Sequence, residues 1–168
     1  MEIAMQIFRQ PAAPDVHRLL NDSDLPTADL TSQNFEHFFG CGSKQESKGV
    51  VGLEIYGSRA LLRSLVVCES NRGRGCGKAL VAEAERYAQG RGVRYIYLLT
   101  ITAAKFFEGL GYTATAREEA PESIRATSEF SNLCPSSSAF MIKDLTPNHA
   151  NSADTKSRGE IGGQIFIL

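Results

Sequence analysis

The sequence has little cysteine and no surplus of basic charge, and each shortage removes a class of protein. The four cysteines, Cys41, Cys68, Cys76 and Cys134, are scattered and form no CxxC pair, so we expect neither a disulfide framework nor a zinc site. Lysine and arginine number 18 against 19 aspartate and glutamate residues. That balance leaves no positive excess to hold a nucleic-acid backbone. We therefore expect no nucleic-acid partner and no bound metal.

Long apolar runs are also missing. No stretch reaches the length that spans a bilayer, so no membrane association is expected. Residues 1–6 lack the basic segment and following apolar run of a secretory signal. These absences predict a cytoplasmic protein with reduced thiols. At 168 residues the chain is long enough for one ordinary domain with a buried core.

Apolar periodicity predicts an α/β domain over residues 1–146. Helical spacing of Val16, Leu19 and Leu20 indicates a first helix over 15–20, and a weaker helical pattern covers 28–35. Two apolar runs around a turn at 57–59 predict a β-hairpin. The predicted later elements are a helix from 78 to about 90, a strand over 95–99, a helix over 102–110 capped by Thr102, a strand beginning in 112–117 and a closing strand over 139–145.

Two segments have no strong pattern of their own. The connection over 118–138 is long for a structureless loop in a compact domain, so it is expected to contain helical turns or to serve the function. Residues 147–168 are polar apart from the last five. That composition predicts a loose tail, because little apolar area is available to offset the entropy lost on ordering.

A glycine-rich segment joins the predicted strand that ends at Val67 to the helix that begins near residue 78. It contains alternate glycines and basic side chains: Gly73, Gly75, Gly77, Arg72, Arg74 and Lys78. Glycines allow backbone conformations and close approaches that side chains block. The helix N-terminus behind the loop adds unpaired N–H groups and a positive dipole end. The segment is therefore predicted to bind an anion such as a pyrophosphate.

The spacing argues against two common nucleotide motifs. A P-loop needs glycine five positions before Gly77, where Arg72 stands, and serine or threonine after Lys78, where Ala79 stands. The dinucleotide fingerprint needs a third glycine at Lys78 or Leu80. Neither a nucleoside-triphosphate site nor a dinucleotide site is favoured.

The residues of this loop resemble the GNAT (GCN5-related) N-acetyltransferases. Arg72-x-x-Gly75-x-Gly77 matches their Arg/Gln-x-x-Gly-x-Gly/Ala signature, and residues 103–112 (AAKFFEGLGY) are similar to the helix that follows, A-x-x-F-Y-x-x-x-G-F/Y. Further runs, at 26–30, 61–67, 97–100 and 120–135, resemble the branch associated with bacterial arsenic-resistance operons. The likeness covers roughly residues 14–145.

The resemblance implies a mixed, largely antiparallel twisted sheet with helices on both faces and a splayed central strand pair. Here those strands would be 61–67 and 95–99, with the pantetheine arm of acetyl-coenzyme A between them. The implied cofactor contacts are Leu65, Val66 and Val67 for pantetheine, Arg72, Gly73, Arg74, Gly75, Cys76, Gly77, Lys78 and Ala79 for pyrophosphate, and Phe106 and Phe107 beside the thioester.

The family reaction is attack of a neutral amine on the acetyl carbonyl, with the oxyanion held by a backbone N–H. A base or water chain must first deprotonate the amine. Most relatives protonate the leaving thiolate with a tyrosine, but Phe107 occupies that position and cannot donate. The remaining hydroxyl candidates are Ser64, Thr100 and Thr102, with water as the alternative.

Substrate contacts are less sharply indicated. Arg63 lies in an apolar strand, where either an ion pair or a bound substrate carboxylate would explain it. Arg117, Arg125 and Glu129 on the long connection could clamp an amino-acid-like substrate, with Glu129 accepting the amine proton. Cys134 is more simply a small buried hydrophobe than a thiol for arsenic.

These inferences favour acetyl transfer from acetyl-coenzyme A to the amine of a small molecule, such as an amino acid or an arsenic- or phosphorus-containing analogue. An acetyl-coenzyme A-binding sensor that has lost catalysis is the alternative, since Phe107 replaces the usual tyrosine. Acetylation of a protein N-terminus or lysine needs an open groove, which the bulky 118–138 connection disfavours. A homodimer stays open.

Overall fold

The computed structural model describes residues 6–23, 25, 30, 34–43, 46–68, 75–127, 130 and 138–146. The strands are β1 (Gln6–Arg9), β2 (Phe38–Ser43), β3 (Glu46–Tyr56), β4 (Arg59–Val67), β5 (Tyr95–Thr100), β6 (Thr113–Ala114) and β7 (Ala139–Asp144). The helices are α1 (Ala13–Asp22), α2 (Cys76–Gly90), α3 (Ala104–Gly109) and α4 (Glu122–Arg125). Short 3₁₀ turns cover Asn34–His37 and Arg117–Glu119. No helix in these ranges is long and apolar enough to cross a membrane.

All seven strands form one sheet in the order β1-β2-β3-β4-β5-β7-β6. Every neighbouring pair is antiparallel except β4 and β5, which run parallel. The predicted mixed, largely antiparallel sheet with flanking helices is confirmed. Because α2 connects β4 to β5, the parallel pair has a helical crossover between its strands.

Alternation along β4 assigns the helices to two faces of the sheet. Leu62, Leu65 and Val67 pack with α2 and α3 in the main core, whereas Val66 belongs to a cluster with α1. On that second face Leu61 packs against Ile124 of α4. Successive side chains of a strand point to opposite faces, so α2 and α3 cover one side and α1 and α4 the other.

Both longer helices follow the apolar periodicity of the sequence. In α1 the predicted stripe, Val16, Leu19 and Leu20, is buried. In α2 the buried positions are Cys76, Gly77, Leu80, Val81, Ala84 and Ala88, and Tyr87 packs at the margin of the core. The helix ends at Gly90, and Gly92 follows with φ +88°. Packing of this apolar face supplies most of the stability of such a helix.

Two strands were absent from the sequence prediction. β1 is a four-residue edge strand with only partial burial. β2 contains Gly40 and Gly42, and glycine weakens a strand signal. Gly40 lies close to the ring of Phe8, and a Cβ there would be 2.7 Å from it, so the ring would have to shift. Tertiary packing therefore overrides the local pattern at this edge of the sheet.

Other boundaries shift by a few residues. The strand predicted to begin in 112–117 is only the two-residue β6. The helix predicted over 102–110 begins at Ala104, and its N-cap residue is Ala103 with no side-chain cap bond, so the prediction of Thr102 as cap was wrong. Just before the helix, the Thr100 hydroxyl accepts from the Ala103 N–H at 3.0 Å. Helical turns do occur in the long connection, as expected. The predicted helical patch over 28–35 and the tail after residue 146 lie mainly or wholly outside the described residues.

The expectation of four reduced thiols was also wrong. A disulfide joins Cys41 on β2 to Cys76 at the start of α2. Both cysteines are buried, and Gly49 makes room for the bridge, since a Cβ there would lie 2.9 Å from the Cys76 Sγ. The sequence separation of 35 residues hides the pairing, because only the fold brings β2 beneath α2.

Candidate functional site

The parallel pair β4 and β5 separates part of the way along. Among the described residues their pairing runs from Arg59↔Tyr95 to Leu61↔Tyr97 and then ends. β4 continues to Val67 and β5 to Thr100, so a split opens between the C-terminal parts of the two strands. Beyond Leu61 and Tyr97 the described residues of the two strands do not pair with each other, and a gap of this kind permits an extended ligand to pair as an added strand does.

A β-bulge lies where the two strands part. Val50 pairs with Val66 and Gly52 with Arg63, so Val51 faces the two residues Ser64 and Leu65. Ser64 has φ +60°, a backbone conformation that is unfavourable for residues other than glycine. Bulges bend a strand and increase its twist. The bulge therefore directs the rest of β4 away from β5.

The N-terminus of α2 lies directly behind the end of β4. Its cap residue Gly75 is left-handed, with φ +81°, and no side chain of the described residues caps the helix. The first intrahelical bond runs from the Ala79 N–H to the Gly75 carbonyl, so the N–H groups of residues 76–78 precede the ladder. The first turn contains no acidic residue, and Lys78 is exposed. An anion is favoured at this end of the helix.

The other residues predicted for the cofactor lie in three settings. Leu65, Val66 and Val67 have buried side chains and lie on the part of β4 beyond its pairing with β5. Arg72, Gly73 and Arg74 lie outside the described residues. On α3, Phe106 is partly buried, whereas Phe107 is fully buried and packs edge-on against Phe106 and Tyr112. Phe107 is a core residue in this fold.

The three hydroxyl candidates differ in their surroundings. Ser64 is buried at the bulge, and its Oγ accepts from the Arg63 Nε at 3.0 Å. Thr100 is buried at the end of β5, where it holds the first turn of α3. Thr102 is exposed. A hydroxyl that accepts one bond has its own proton as well, and Ser64 and Thr100 place such hydroxyls on β4 and at the end of β5.

Arg63 is fully buried and forms an ion pair with Glu54 of β3, with 2.6 Å between its Nη1 and the Glu54 Oε2. The Tyr56 hydroxyl donates to the other carboxylate oxygen at 2.5 Å. The sequence analysis did not identify Glu54. The sequence feature that could have identified Glu54 is a pair of opposite charges, one in each apolar strand of the hairpin. The alternation of side chains places the two charges on the same face of the sheet.

The predicted substrate residues on the long connection lie apart from Arg63. Arg117 stacks its guanidinium over the Phe130 ring at 5.2 Å and donates to the Ser138 carbonyl at 3.4 Å. Arg125 is exposed and donates to the Glu118 carbonyl at 2.9 Å. Glu129 and Cys134 lie outside the described residues. Arg117 and Arg125 therefore bind backbone carbonyls of the connection itself.

A second polar cluster lies behind the split, between α2 and β7. The buried Tyr112 hydroxyl donates to Glu85 at 2.9 Å, and the Lys143 Nζ bonds the same carboxylate at 3.0 Å. Burial, together with the nearby Glu85 carboxylate, raises the pKa of Tyr112 well above the usual 10.0 of tyrosine. A shallow cavity of about 630 Å³ opens at the C-terminal end of α2, beside Gln89 and Leu145. It lies at the other end of the helix from the split.

Residues 34–114 match the family model of the acetyltransferase (GNAT) domain. The chain is also similar to an uncharacterised N-acetyltransferase of Chlorobaculum tepidum, CT2212, with 31% identity over 93 residues, which are 55% of this chain and 59% of that protein. It thus spans little more than half of this curated relative.

Solved structures share the fold at low sequence identity. N-acetylglutamate synthase from Neisseria gonorrhoeae, complexed with coenzyme A and N-acetyl-glutamate, has a TM-score of 0.73 at 18% identity over 88% of this chain and 36% of that one. Rv2747 from Mycobacterium tuberculosis, in complex with coenzyme A, has a TM-score of 0.70 at 16% identity over 86% of this chain and 100% of that one. The chain is therefore similar to GNAT acetyltransferases over residues 34–114 of its sequence, and it shares their fold.

Proposed function

We propose that the protein is an acetyl-coenzyme A-dependent N-acetyltransferase that acts on the amine of a small molecule. One observation carries the proposal: the split between β4 and β5 ends beside the uncapped N-terminus of α2. A thioester carrier with an extended arm and a diphosphate needs these two features next to each other. A lone helix terminus or a lone strand split would have many other uses.

The solved structures that share this fold support acetyl-coenzyme A as the cosubstrate. The gonococcal synthase and the mycobacterial protein were both solved with coenzyme A. This chain covers only 36% of the synthase. The activity and the substrate of this chain are therefore part of the proposal. No metal is invoked, and among the described residues no three histidine, cysteine, aspartate or glutamate side chains form a cluster that could hold one.

Residues of this chain fit the cofactor in two places. The N–H groups of Cys76, Gly77 and Lys78 have no intrahelical acceptors, and they would donate to the pyrophosphate, with the exposed Lys78 adding charge. The backbone of Leu65 and Val67 would pair with the pantetheine arm along β4. Acetyl-coenzyme A supplies the activated acetyl group, and the protein supplies position and hydrogen-bond donors.

Proton transfer falls to groups other than Phe107, which is buried and has no donor. Ser64 and Thr100 carry hydroxyls at the two sides of the split, and either could protonate the leaving thiolate directly or through water. Glu129 remains a proposed acceptor of the amine proton. If alanine at Ser64, Thr100 and Thr102 together left the turnover of the folded protein unchanged, solvent would be the proton donor.

The acceptor we propose is an amino acid, or an arsenic- or phosphorus-containing analogue of one. The gonococcal neighbour was solved with N-acetyl-glutamate, which supports an amino-acid amine. The arsenic context rests on the sequence resemblance alone, and a cytoplasmic location rests on the sequence pattern of the chain. The competing function is an acetyl-coenzyme A sensor without turnover, and Phe107 in the position of the usual tyrosine favours it.

Calorimetry and thiol release test the proposal. Coenzyme A and acetyl-coenzyme A should both bind, and thiol should be released with at least one member of a panel of amino acids and their phosphinic and arsenical analogues. Binding without thiol release for any amine would favour the sensor. No binding of either coenzyme would overturn the proposal.

A matched pair of variants tests the location of the diphosphate. Lys78→Gln should weaken coenzyme A binding several-fold, because Lys78 lies in the first turn of α2. Arg86→Gln removes the same charge from an exposed position further along the helix, so it should leave the affinity unchanged. Equal affinities for the two variants would move the anion site away from the helix terminus.

A further inference from the structure

The bulge at Ser64 is a strained element at the point where the site opens. β4 pairs with β5 up to Leu61, and the bulge begins three residues later. A residue other than glycine at φ +60° persists only where its surroundings hold it there. Something in the structure must therefore stabilise this backbone conformation.

The Arg63 side chain is in contact with the bulge. Its Nε donates to the Ser64 Oγ at 3.0 Å, and both residues are fully buried. Its Nη1 bonds Glu54 at 2.6 Å, so one guanidinium links the bulge to β3. A planar guanidinium with several donors in a fixed geometry suits such a link better than lysine would.

Glu54 is itself held in place. The Tyr56 hydroxyl donates to its second oxygen, and only about a tenth of the Glu54 side chain is exposed. The chain of contacts thus runs from Tyr56 through Glu54 and Arg63 to Ser64, across both strands of the β3–β4 hairpin. Such a network has one favoured geometry because its members share hydrogen bonds.

Stability alone does not explain a buried ion pair. Apolar side chains of similar size often replace one without loss of stability. A fully buried guanidinium already paired with Glu54 is also poorly placed to receive a substrate carboxylate. A role in fixing one backbone arrangement accounts for both facts.

We propose that Arg63, held by Glu54, is a positioning residue that fixes the local conformation of the Ser64 bulge and so sets the backbone at residues 64–65 against the acetyl group. This inference rests on the proposed function. Arg63 acts through Ser64 and contacts no substrate. The network contributes to turnover. It contributes little to cofactor binding, because the contacts with the cofactor lie mainly at α2 and along β4.

The double variant R63M/E54M tests the proposal without leaving a buried charge unpaired. With saturating acetyl-coenzyme A and the amino acid of the panel that gives the fastest thiol release, kcat should fall at least tenfold. KM for acetyl-coenzyme A should stay within threefold, and the melting temperature should be close to that of the wild type. The pH profile of the remaining activity should keep its shape, because a positioning residue exchanges no proton.

The control variant is K143M/E85Q, which removes the ion pair between β7 and α2 outside the split and keeps an acceptor for Tyr112. It should retain wild-type kcat. An equal loss of kcat in both double variants would indicate a general structural effect and overturn the proposal. A lost limb of the pH profile in R63M/E54M would also overturn it, since proton transfer would then be the role.

The variant S64G keeps the ion pair and gives a result even if R63M/E54M does not fold. Glycine adopts φ +60° without strain but offers no hydroxyl to Arg63, so kcat should fall several-fold while the pH profile keeps its shape and the melting temperature is equal or higher. A lost limb of the pH profile in S64G would overturn the proposal, because Ser64 would then act as the proton donor. Unchanged kcat in S64G would overturn the proposal. If the wild-type protein binds no coenzyme A, the proposed function is overturned as well. If the wild-type protein is active and the variants have the same kcat, only the positioning role is overturned.

Discussion

A buried hydroxyl contributes to stability where it bonds a charged partner. Tyr112 is the clearest case outside the split. Its ring packs against Phe107, and its hydroxyl bonds Glu85. Because Glu85 is also paired with Lys143, the carboxylate keeps a partner when the hydroxyl is removed.

Tyr112→Phe should lower the free energy of unfolding by about 1–2 kcal/mol, the usual range for one hydrogen bond to a charged acceptor. Urea unfolding monitored by circular dichroism measures the change. Tyr95→Phe is the control, since that ring is only half-buried, and it should cost less than about 0.5 kcal/mol. A loss as small as that of the control would show that the bond to Glu85 contributes little.

The same variant should change the alkaline limit of stability. Burial and the Glu85 carboxylate raise the pKa of Tyr112 above 10.0, so the unfolded chain loses this proton first as pH rises. The contribution is complete below pH 10 and is lost as pH increases through the folded pKa. Tyr112→Phe should therefore flatten the fall in stability above about pH 10.

At the scale of elements, the two ends of α2 differ: the helix starts after a left-handed glycine, Gly75, and its last residue, Gly90, has no positive φ. Gly75→Ala should destabilise the protein by about 1–2 kcal/mol, because alanine disfavours φ +81°, although no atom lies within 4 Å of the added Cβ. It should also weaken coenzyme A binding in calorimetry.

Gly90→Ala at the last residue of α2 is the matched control. Its Cβ also meets open space, and its φ is not positive, so alanine should be neutral or stabilising by up to about 1 kcal/mol. Thermal unfolding of both variants decides the matter. Equal destabilisation at the two glycines would contradict the left-handed cap.

The bridge between β2 and α2 should stabilise the fold by constraining the unfolded chain. For a sequence separation of 35 residues, the loop-closure relation gives about 4 kcal/mol. Reduction, or C41A/C76A, should lower the urea midpoint, and mass spectrometry of an unreduced digest should find the two peptides linked. Cys68→Ser, outside the bridge, should change little. An unreduced digest without the linked pair would rule the bridge out.

For the molecule as a whole, the titration of His37 should make the free energy of unfolding depend on pH in the mildly acidic range. Burial, followed by the nearby Arg91 charge, lowers the pKa of His37 below its usual 6.5. The unfolded chain then binds the proton more readily, so stability is complete above pH 6.5 and falls as pH drops through the folded pKa. In His37→Gln, the free energy of unfolding, measured in urea at each pH, should change less between pH 7 and pH 5 than in the wild type. An unchanged slope would assign the acid sensitivity to other groups.

The fold was predictable from sequence where the pattern is local: the hairpin around Gly57 follows from two apolar runs. Gly75, Gly77 and Lys78 predict an anion-binding helix start by the same local reasoning, and that site stays a prediction. Glu54 and Cys41 were not predictable in the same way. Their roles depend on partners 9 and 35 residues away, and no local periodicity encodes which side chains a sheet brings together.

By itself, the sequence determined the order of the main helices and strands, the apolar stripes that bury them and the glycine-rich turn before α2, because each depends on neighbours a few residues apart. Only the tertiary structure decided that β4 parts from β5 at a bulge, that Glu54 neutralises Arg63 and that Cys76 pairs with Cys41. These features come from strand register and from packing across the sheet, where residues distant in the chain compete for the same buried space.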